Sequence, residues 1–287
     1  MSLVLGARTY GEHDHAVMAI VNRTPDSFSE AGATFDEAAA LARVDRVVAE
    51  GADLVDIGGV RAGHGETVNV AEELRRTASL VERVRSTYTD LVISVDTWRS
   101  EVARELCHRG ADLINDTWAG ADPVVAEVAA EFGVGLVCSH TGGLAPRTDP
   151  HRVHYEDVVA DVVATVTGLA DRAVAAGVRR DQILIDPTHD FGKNTHHSLE
   201  LTRRLDELTA TGWPVLVALS NKDFIGETLD QPVDQRLTGT LTATAISAWH
   251  GARIFRTHRV SETRQVLAMV ASIAGHRPPA RALRGLA

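Results

Sequence analysis

Polar side chains follow almost every apolar run of this sequence, and their types could bind and activate a small molecule. The set mixes acids, amides, hydroxyls and cations: Asn22, Asp56, Asp96, Asn115, Asp116, His140, Asp186, Ser220, Lys222, Arg256 and His258. Taken alone, any one of them is more simply a helix cap or a turn residue. Together they predict a binding site, provided that the fold brings the ends of these runs to one place.

One group of these residues suits a flat heterocycle. Asp96, Asn115 and Asp186 offer carboxylate and amide groups to a ring that carries several N–H donors. The ammonium of Lys222 could donate to a carbonyl of the same ring. These four residues therefore predict the part of the site that recognises the heterocycle.

A second group suits an anion. Arg256 supplies a cation, His258 a titratable donor and Asn22 a neutral oxygen ligand. Such groups bind a phosphate or a pyrophosphate, together with Mg²⁺, which prefers oxygen ligands and phosphate oxygens. We therefore expect a phosphorylated ligand, with Mg²⁺ as the cofactor and Asn22 as its protein ligand.

Eight short apolar runs must position these residues. Each is rich in Val, Ile and Leu and is apolar on successive residues, which is typical of strands covered on both faces of a parallel sheet. Segments with helical spacing separate the runs, and a glycine falls where several of these helices should end. The runs are 16–22, 53–59, 91–97, 112–117, 135–140, 183–187, 215–220 and 252–258, and the glycines are Gly51, Gly110, Gly133 and Gly177.

Eight strands alternating with helices predict an α/β protein with one (β/α)₈ TIM barrel. The competing layout, a doubly wound sheet, usually has a Gly-rich phosphate turn after its first strand, and NRTPDSFSEAG lacks that fingerprint. We assign residues 1–275 to the barrel and 276–287 to a basic C-terminal tail. In such barrels the site forms at the carboxyl ends of the strands, where the polar residues fall.

The composition excludes several classes of function. The net charge of −10 and the pI near 5.7 provide no basic field that would gather nucleic acid or anionic lipid. No segment approaches the roughly 20 apolar residues of a membrane span, and the N-terminus lacks the features of a signal peptide. Cys107 and Cys138 cannot form a disulfide framework. We therefore expect a cytoplasmic protein that binds neither nucleic acid nor membranes.

Several segments resemble those of the dihydropteroate synthase family, over nearly the whole chain. That family condenses dihydropterin-methyl pyrophosphate with 4-aminobenzoate on a (β/α)₈ barrel. The matching segments are VNRTPDSFSEAG, DIGG, SVDT, INDT, DP…FGK (Asp186 to Lys193), S-x-K-x-F (Ser220 to Phe224) and R-x-H (Arg256 to His258). No single segment would carry the resemblance; their order at successive strand ends does.

The resemblance implies a role for each matched residue. The substrate-binding set would be Asp96, Asn115, Asp186, Phe191, Ser220, Lys222, Arg256, His258 and Arg61, with Asn22 and the nearby Asp26 and Ser27 at the pyrophosphate and its Mg²⁺. Catalysis would rest on Asp96, Lys222 and Arg256. Departure of pyrophosphate leaves a positive pterin methylene, which a carboxylate stabilises, while the metal and the arginine neutralise the leaving group. Related barrels commonly form homodimers through outer helices, and TGTLTATAISAWHGA is a candidate contact.

Four departures from the family pattern cluster on the 4-aminobenzoate side. The family's Glu-Ser-Thr-Arg-Pro-Gly after the second strand reads VRAGHG at 60–65, where Arg61 could replace the lost arginine. Ser-Arg-Lys has become 220–222, SNK, and Asp-Pro-Gly-x-Gly-Phe has become 186–191, DPTHDF, without its two glycines. Met-His has become Ser139-His140, which exchanges an apolar pocket wall for a hydroxyl.

The sequence leaves three functions open. We put first a dihydropteroate synthase, a transferase whose altered loop closes by different contacts. The second is a synthase-like barrel that binds a pterin or pyrophosphate ligand without making dihydropteroate, similar to the divergent second copy that actinobacteria carry beside the working enzyme. The third is the methyltetrahydrofolate-binding barrel of a corrinoid methyltransferase, which is not expected to carry the Asn-x-Thr-x-Asp-Ser-Phe loop.

Two aromatic residues and two acids have plainer interpretations. Trp98 and Trp118 each follow a strand-end motif and are predicted to pack on helices instead of lining the mouth. Glu66 and Asp190 are candidate general bases only by their expected proximity to the site. An aniline nucleophile, largely neutral at pH 7, needs little help from a base.

Overall fold

The structure is a computed structural model that describes residues 1–24, 35–61, 63, 65, 67–148 and 153–284. Two short strands open the chain, and eight further strands follow the predicted apolar runs. The strands are β1 (Leu3–Leu5), β2 (Arg8–Tyr10), β3 (Ala16–Asn22), β4 (Leu54–Gly58), β5 (Val92–Asp96), β6 (Leu113–Asp116), β7 (Gly135–Ser139), β8 (Ile183–Asp186), β9 (Leu216–Ala218) and β10 (Ile254–Thr257).

Ten α-helices are described between and after these strands. They are α1 (Glu37–Ala49), α2 (Val70–Thr87), α3 (Ser100–His108), α4 (Val124–Phe132), α5 (Val158–Ala175), α6 (Thr195–Arg203), α7 (Leu205–Thr209), α8 (Asp223–Leu229), α9 (Leu237–Trp249) and α10 (Val260–Ile273). The four glycines predicted at helix ends all have positive φ, between 64° and 106°. A residue with a β-carbon would be strained there, which explains why glycine occupies these positions.

Strands β3 to β10 form one parallel sheet in the order β8-β7-β6-β5-β4-β3-β10-β9. Its edges meet in a parallel bridge between Ile185 and Val215, where the Ile185 N–H donates to the Pro214 carbonyl at 2.9 Å. The sheet is therefore a nearly closed barrel with helices around it. The predicted (β/α)₈ TIM barrel is confirmed.

The interior of the barrel is apolar at one end and polar at the other. The deep layer is made by Met18, Leu54, Val92, Leu113, Val137, Leu184, Leu216 and Ile254, all in one buried cluster. Because side chains alternate between the two faces of a strand, the residues two positions further along face the same interior. Those residues include Asp56, Ser94, Asn115, Ser139, Asp186 and Arg256. The strands thus carry their polar side chains at the carboxyl end.

The first two strands form an antiparallel hairpin that the sequence did not reveal. Leu3, Leu5 and Tyr10 are buried in the same cluster as the deep layer, so the hairpin closes the amino end of the barrel. The buried Arg253 guanidinium fixes it by donating to the carbonyls of Met1 and Tyr10. Strands of three residues are too short for a periodic pattern, which is why the hairpin was missed.

Residues beyond α10 are exposed as far as they are described, and they form no helix or strand there. The boundary at residue 275 stays a prediction. Among the described residues, no helix has the length and apolar content needed to cross a membrane.

Candidate functional site

An ion pair forms the floor of the barrel mouth. The Nε of Arg256 on β10 donates to Asp56 Oδ2 on β4 at 2.6 Å, and its Nη2 donates to Asp96 Oδ2 on β5 at 3.0 Å. The Asp56 side chain has no exposed surface. Although burial opposes the charge of Arg256, the two carboxylates raise the pKa of its guanidinium. The arginine therefore stays charged and joins three strands.

Asp56 also sets the orientation of Asn115. The carboxylate accepts from Ser94 Oγ at 2.6 Å and from Asn115 Nδ2 at 3.1 Å. With its amide nitrogen committed, Asn115 presents Oδ1, which is buried and has no hydrogen-bond partner among the residues that the structure describes. A buried acceptor of this kind is costly unless something donates to it, so it suits an N–H of a ligand.

Two residues of this floor were missed by the sequence analysis. Asp56 was noted at a strand end, but no role was predicted for it. Ser94 lies inside the apolar run 91–97, and only the alternation that starts at Val92 would have indicated that it faces inward. Asp56 acts on the site through Arg256 and Asn115, and Ser94 acts through Asp56.

Asp96 is the more exposed of the two acids in this floor. Its Oδ1 accepts from Thr117 Oγ1 at 3.1 Å. Burial raises the pKa of Asp96 to about 7, with the Arg256 guanidinium opposing the shift and the Asp56 carboxylate adding to it. The carboxyl group can therefore change its protonation state near neutral pH.

Asp186, Phe191 and Lys222 meet on the opposite side of the mouth. Asp186 Oδ1 accepts from the Thr188 N–H at 2.7 Å, and burial raises the pKa of Asp186 to about 6 against this hydrogen bond and the nearby lysines. Lys222 Nζ donates to the His189 carbonyl at 2.7 Å and lies 4.4 Å from the centre of the Phe191 ring. The charge of Arg256 acts on Asp96, Asp186 and Lys222, so these residues lie around one arginine at the carboxyl end of the barrel. Their role in binding a heterocycle stays a prediction.

Ser220 and His258 form a second pair at the mouth. Ser220 Oγ lies 3.0 Å from His258 Nδ1, and the His258 N–H donates back to the same hydroxyl at 3.3 Å. Burial, followed by the Arg256 charge, lowers the pKa of His258 to about 3. The imidazole is therefore neutral at pH 7 and offers hydrogen bonds without a charge.

Asn22 lies beside Asp96. A β-carbon placed on Gly58 would stand 3.6 Å from Asn22 Oδ1 and 3.4 Å from Asp96 Cβ, so the two side chains flank this glycine. In the part of the chain that the structure describes, no group of three or more His, Cys, Asp or Glu side chains could hold a metal ion. Asn22 thus offers a single neutral oxygen at the edge of the acidic site.

The loop after β4 is only partly described. Arg61 follows the strand by three residues and is half-buried, and its role stays a prediction. Asp26, Ser27 and Glu66, which the sequence analysis mentioned, lie outside the described residues. The roles predicted for these four residues therefore stay predictions.

The loop after β8 holds left-handed backbone conformations at residues that are not glycine. Thr188 and Asp190 stand where the family has glycine, yet their φ angles are 52° and 70°. The Asp190 carboxylate accepts the N–H of Asp223 at 2.7 Å and of Phe224 at 3.4 Å. Asp190 is therefore a cap at the start of α8 and not a general base.

The aromatic residues pack around Phe191. Trp118 is buried, and its ring lies 5.4 Å from the Phe191 ring and 6.3 Å from the Trp98 ring, in edge-to-face contacts. The turn that carries Trp118 is fastened by Ser139 Oγ, which donates to the Asp116 carbonyl at 2.5 Å and accepts from Ala119 N–H at 3.1 Å. The Ser139 hydroxyl is thus used inside the protein, and Trp118 supports the ring of a site residue.

Comparison with known proteins decides the family. A model of pterin binding enzymes matches residues 18–258. The chain is 60% identical, over the full length of both proteins, to a protein of Mycobacterium leprae named inactive dihydropteroate synthase 2. The chain belongs to the dihydropteroate synthase family. The resemblance seen in the sequence is confirmed, and the protein is dihydropteroate-synthase-like.

Solved dihydropteroate synthases share this architecture. The Yersinia pestis enzyme, determined with a sulfonamide drug, is 34% identical with a TM-score of 0.90, and the match covers 96% of this chain and all of that one. The Xanthomonas albilineans enzyme, determined with 4-aminobenzoic acid, is 38% identical with a TM-score of 0.85 over 96% and 99% of the two chains. The likeness therefore extends over nearly the whole chain.

Asp56→Asn tests the floor of the site. We expect the free energy of unfolding to fall by about 3 kcal/mol, because removing one partner leaves a buried guanidinium undercompensated. Urea unfolding followed by circular dichroism measures the change. Ser94→Ala removes a single hydrogen bond to the same carboxylate and should cost about 1 kcal/mol. Equal small losses from both variants would contradict this account of the floor.

Proposed function

We propose that this protein binds a pterin or a pterin pyrophosphate in the mouth of its barrel and does not condense it with 4-aminobenzoate as a working synthase does. This is the second of the functions that the sequence left open. The observation that carries it is the buried, unpartnered Oδ1 of Asn115 beside the Asp96 carboxylate. Acceptors held in this way suit the N–H and amino groups of a pterin ring.

The carboxylates and lysine support the same ligand. Asp96 and Asp186 add acceptors whose raised pKa values leave them able to take a hydrogen bond or a proton near neutral pH. Lys222 Nζ donates one hydrogen bond to the His189 carbonyl, and its other N–H groups could donate to a carbonyl of the ligand. The pterin side of the site is therefore complete in side-chain types.

The sequence changes on the 4-aminobenzoate side of the site support loss of synthase activity. The loop at 60–65 reads VRAGHG and lacks the Thr and Pro of the family pattern, and Asn221 stands where the family has arginine. The protein that is 60% identical over its full length carries the name inactive dihydropteroate synthase 2. The presence of Asp96, Lys222 and Arg256 favours the other function, that of a dihydropteroate synthase. A product assay separates the two functions.

Mg²⁺ fits this site as a companion of pyrophosphate. Asn22 offers one neutral oxygen, and Mg²⁺ is commonly held by one or two protein ligands together with substrate phosphates. When bound, the ion would neutralise charge on the pyrophosphate. Arg256 would add its own charge, while Ser220 and the neutral His258 would supply hydrogen bonds to the same group. We therefore propose that Mg²⁺ binds with the ligand and not to the protein alone.

Calorimetry and a product assay test the proposed function. With dihydropterin-methyl pyrophosphate and Mg²⁺ we expect saturable one-to-one binding, and with Mg²⁺ alone no binding. Addition of 4-aminobenzoate should give no dihydropteroate above background. Asp96→Ala should weaken binding at least tenfold, about 1.4 kcal/mol, because an acceptor for the ring is lost.

Asp171→Ala, on the exposed side of α5, is the matched control and should bind normally. Turnover of about 1 per second or faster, with release of pyrophosphate, would favour the transferase and contradict the loss of activity. Unchanged affinity in Asp96→Ala would contradict the assignment of the pterin site.

We also propose a homodimer formed through α9 and α10. These neighbouring helices expose apolar side chains at Ile246, Trp249, Met269 and Ile273. Exposed apolar patches of this kind mark interaction surfaces. A second copy of the chain would cover them.

Sedimentation velocity at micromolar concentration tests the dimer. Met269→Glu should give a monomer, because it places a charge in the apolar contact. Val174→Glu, on the outer face of α5, is the control and should leave the dimer intact. A monomeric wild-type protein would exclude this interface.

Cys107 and Cys138 are both free and buried. Unpaired thiols suit a reducing compartment. We propose the cytoplasm as the location of the protein, in agreement with the expectation from the sequence.

A further inference from the structure

The loop between β8 and α6 holds an unusual backbone conformation. Thr188, Asp190 and Gly192 have φ angles of 52°, 70° and 61°. A β-branched threonine in the left-handed region is rare, because its β-carbon crowds the backbone there. The conformation persists only if the surrounding structure holds it.

Lys193 supplies much of what holds this loop. Its side chain is buried, with the residue only 3% exposed. Nζ donates to the carbonyls of His140 at 3.1 Å, Thr188 at 3.0 Å and Phe191 at 2.8 Å. The three N–H groups of the ammonium match three carbonyls, so it joins the loop to the end of β7.

A second lysine holds the same loop from the mouth. The His189 carbonyl, between two carbonyls that Lys193 binds, accepts from Lys222 Nζ at 2.7 Å. The loop therefore accepts hydrogen bonds from the Lys193 ammonium inside the protein and from the Lys222 ammonium at the site. Loss of the inner ammonium would remove the lysine donor from the His140 and Phe191 carbonyls. It would leave the Thr188 carbonyl with the Phe191 N–H, at 3.2 Å, as its donor and release the strained backbone.

Phe191 and Lys222 connect this loop to the ligand site. Phe191 is half-buried, its ring lies under Lys222 Nζ, and Trp118 packs against its edge. Gly192 lies so close to the β7 segment that a β-carbon there would stand 2.3 Å from the Thr141 carbonyl oxygen. Small movements of the loop would therefore displace Phe191 and the acceptor of Lys222 together.

We propose that Lys193 is a positioning residue of the ligand site, whose buried ammonium holds residues 187–192 in the left-handed conformation that places Phe191 and Lys222 at the mouth. Lys193 does not touch the ligand. The inference rests on the proposed function for the identity of that ligand, a pterin, and the geometry of the loop stands without it.

The charge of Lys193 adds a pH dependence. Burial lowers the pKa of Lys193 to about 7, with Asp186 opposing the shift, Lys222 adding to it and two further acids opposing it. The groups that face it are Asp186 on β8, Lys222 before α8, Asp190 in the loop, Asp161 on α5, His140 after β7, His189 in the loop and His197 on α6. Because this pKa is lower than the ordinary 10.5 of a hydrated lysine, an opening of the loop that hydrates Lys193 takes up a proton. The loop is therefore held more firmly as the pH rises above about 7.

A double-mutant cycle tests the inference. The variants are Lys193→Met, Thr188→Gly and the pair, and the probe is 6-hydroxymethyl-7,8-dihydropterin in calorimetry at pH 7. We expect Lys193→Met to bind at least tenfold more weakly and Thr188→Gly to bind within threefold of wild type. The pair should recover at least threefold over Lys193→Met, because glycine adopts positive φ without strain. A lysine that only stabilised the fold would gain no such recovery.

The pH profile gives a second readout. Wild-type affinity should fall below pH 6–7, as Asp96 and Asp186 take up protons, and rise between pH 7 and 9, as the closed loop with a neutral Lys193 becomes favoured. Lys193→Met should lose the rise above pH 7 and keep the acid fall. Ionisation of the ligand is common to both proteins and cancels in the comparison.

Hydrogen exchange of residues 187–193 in the ligand-free protein separates the two proposals. We expect faster exchange in Lys193→Met and slower exchange again in the pair. If wild type binds no pterin, the proposed function fails while exchange still tests Lys193. Lys193→Gln, which keeps two N–H donors, replaces the Met variant should that one unfold. Unchanged exchange and unchanged affinity, or the same alkaline rise in both proteins, would overturn the inference.

Discussion

The site depends on one buried cation. Arg256 lies between the carboxylates of Asp56 and Asp96 and thereby ties β10 to β4 and β5. Such a charge is tolerated in a barrel interior only when its partners compensate it closely. The Asp56 carboxylate also accepts hydrogen bonds from Ser94 and from the Asn115 amide nitrogen. The residue that compensates Arg256 therefore also fixes the amide that faces the ligand. The positions of the side chains at the mouth therefore depend on the ion pairs of Arg256 at its floor.

This arrangement leaves the mouth rich in acceptors. Asp96 and Asp186 are buried enough that their pKa values rise towards neutrality, and Asn115 keeps a carbonyl without a donor. The cations that could balance them are committed elsewhere: Lys222 to a loop carbonyl, Lys193 to three carbonyls in the interior. A neutral heterocycle with several N–H groups is the ligand that such a surface fits best. Because these acceptors and donors belong to segments other than the loop associated with 4-aminobenzoate, a pterin site can be kept while that loop changes.

The barrel and the strand-end residues were predictable because parallel strands covered on both faces leave continuous apolar runs, and because the topology brings the ends of those runs together. Residues that act inside were harder to find. Ser94 is hidden in an apolar run, and Lys193 stands in a polar segment where a lysine usually reaches solvent. The two lost glycines at Thr188 and Asp190 indicated a changed loop, but they did not indicate that both residues have positive φ or that Lys193 and Asp190 bind the loop through the Thr188 carbonyl and the Asp223 N–H. Such compensation depends on partners distant in sequence, which no local pattern records.

A crystal structure of the protein with dihydropterin-methyl pyrophosphate and Mg²⁺ tests the central claim most directly. The account predicts the heterocycle in the barrel mouth, with a ring N–H or amino group on Asn115 Oδ1, further donors on Asp96 and Asp186, and the contact between Arg256 and Asp56 intact. A heterocycle bound outside this mouth, or a bound heterocycle that leaves Asn115 Oδ1 without a donor, would contradict it.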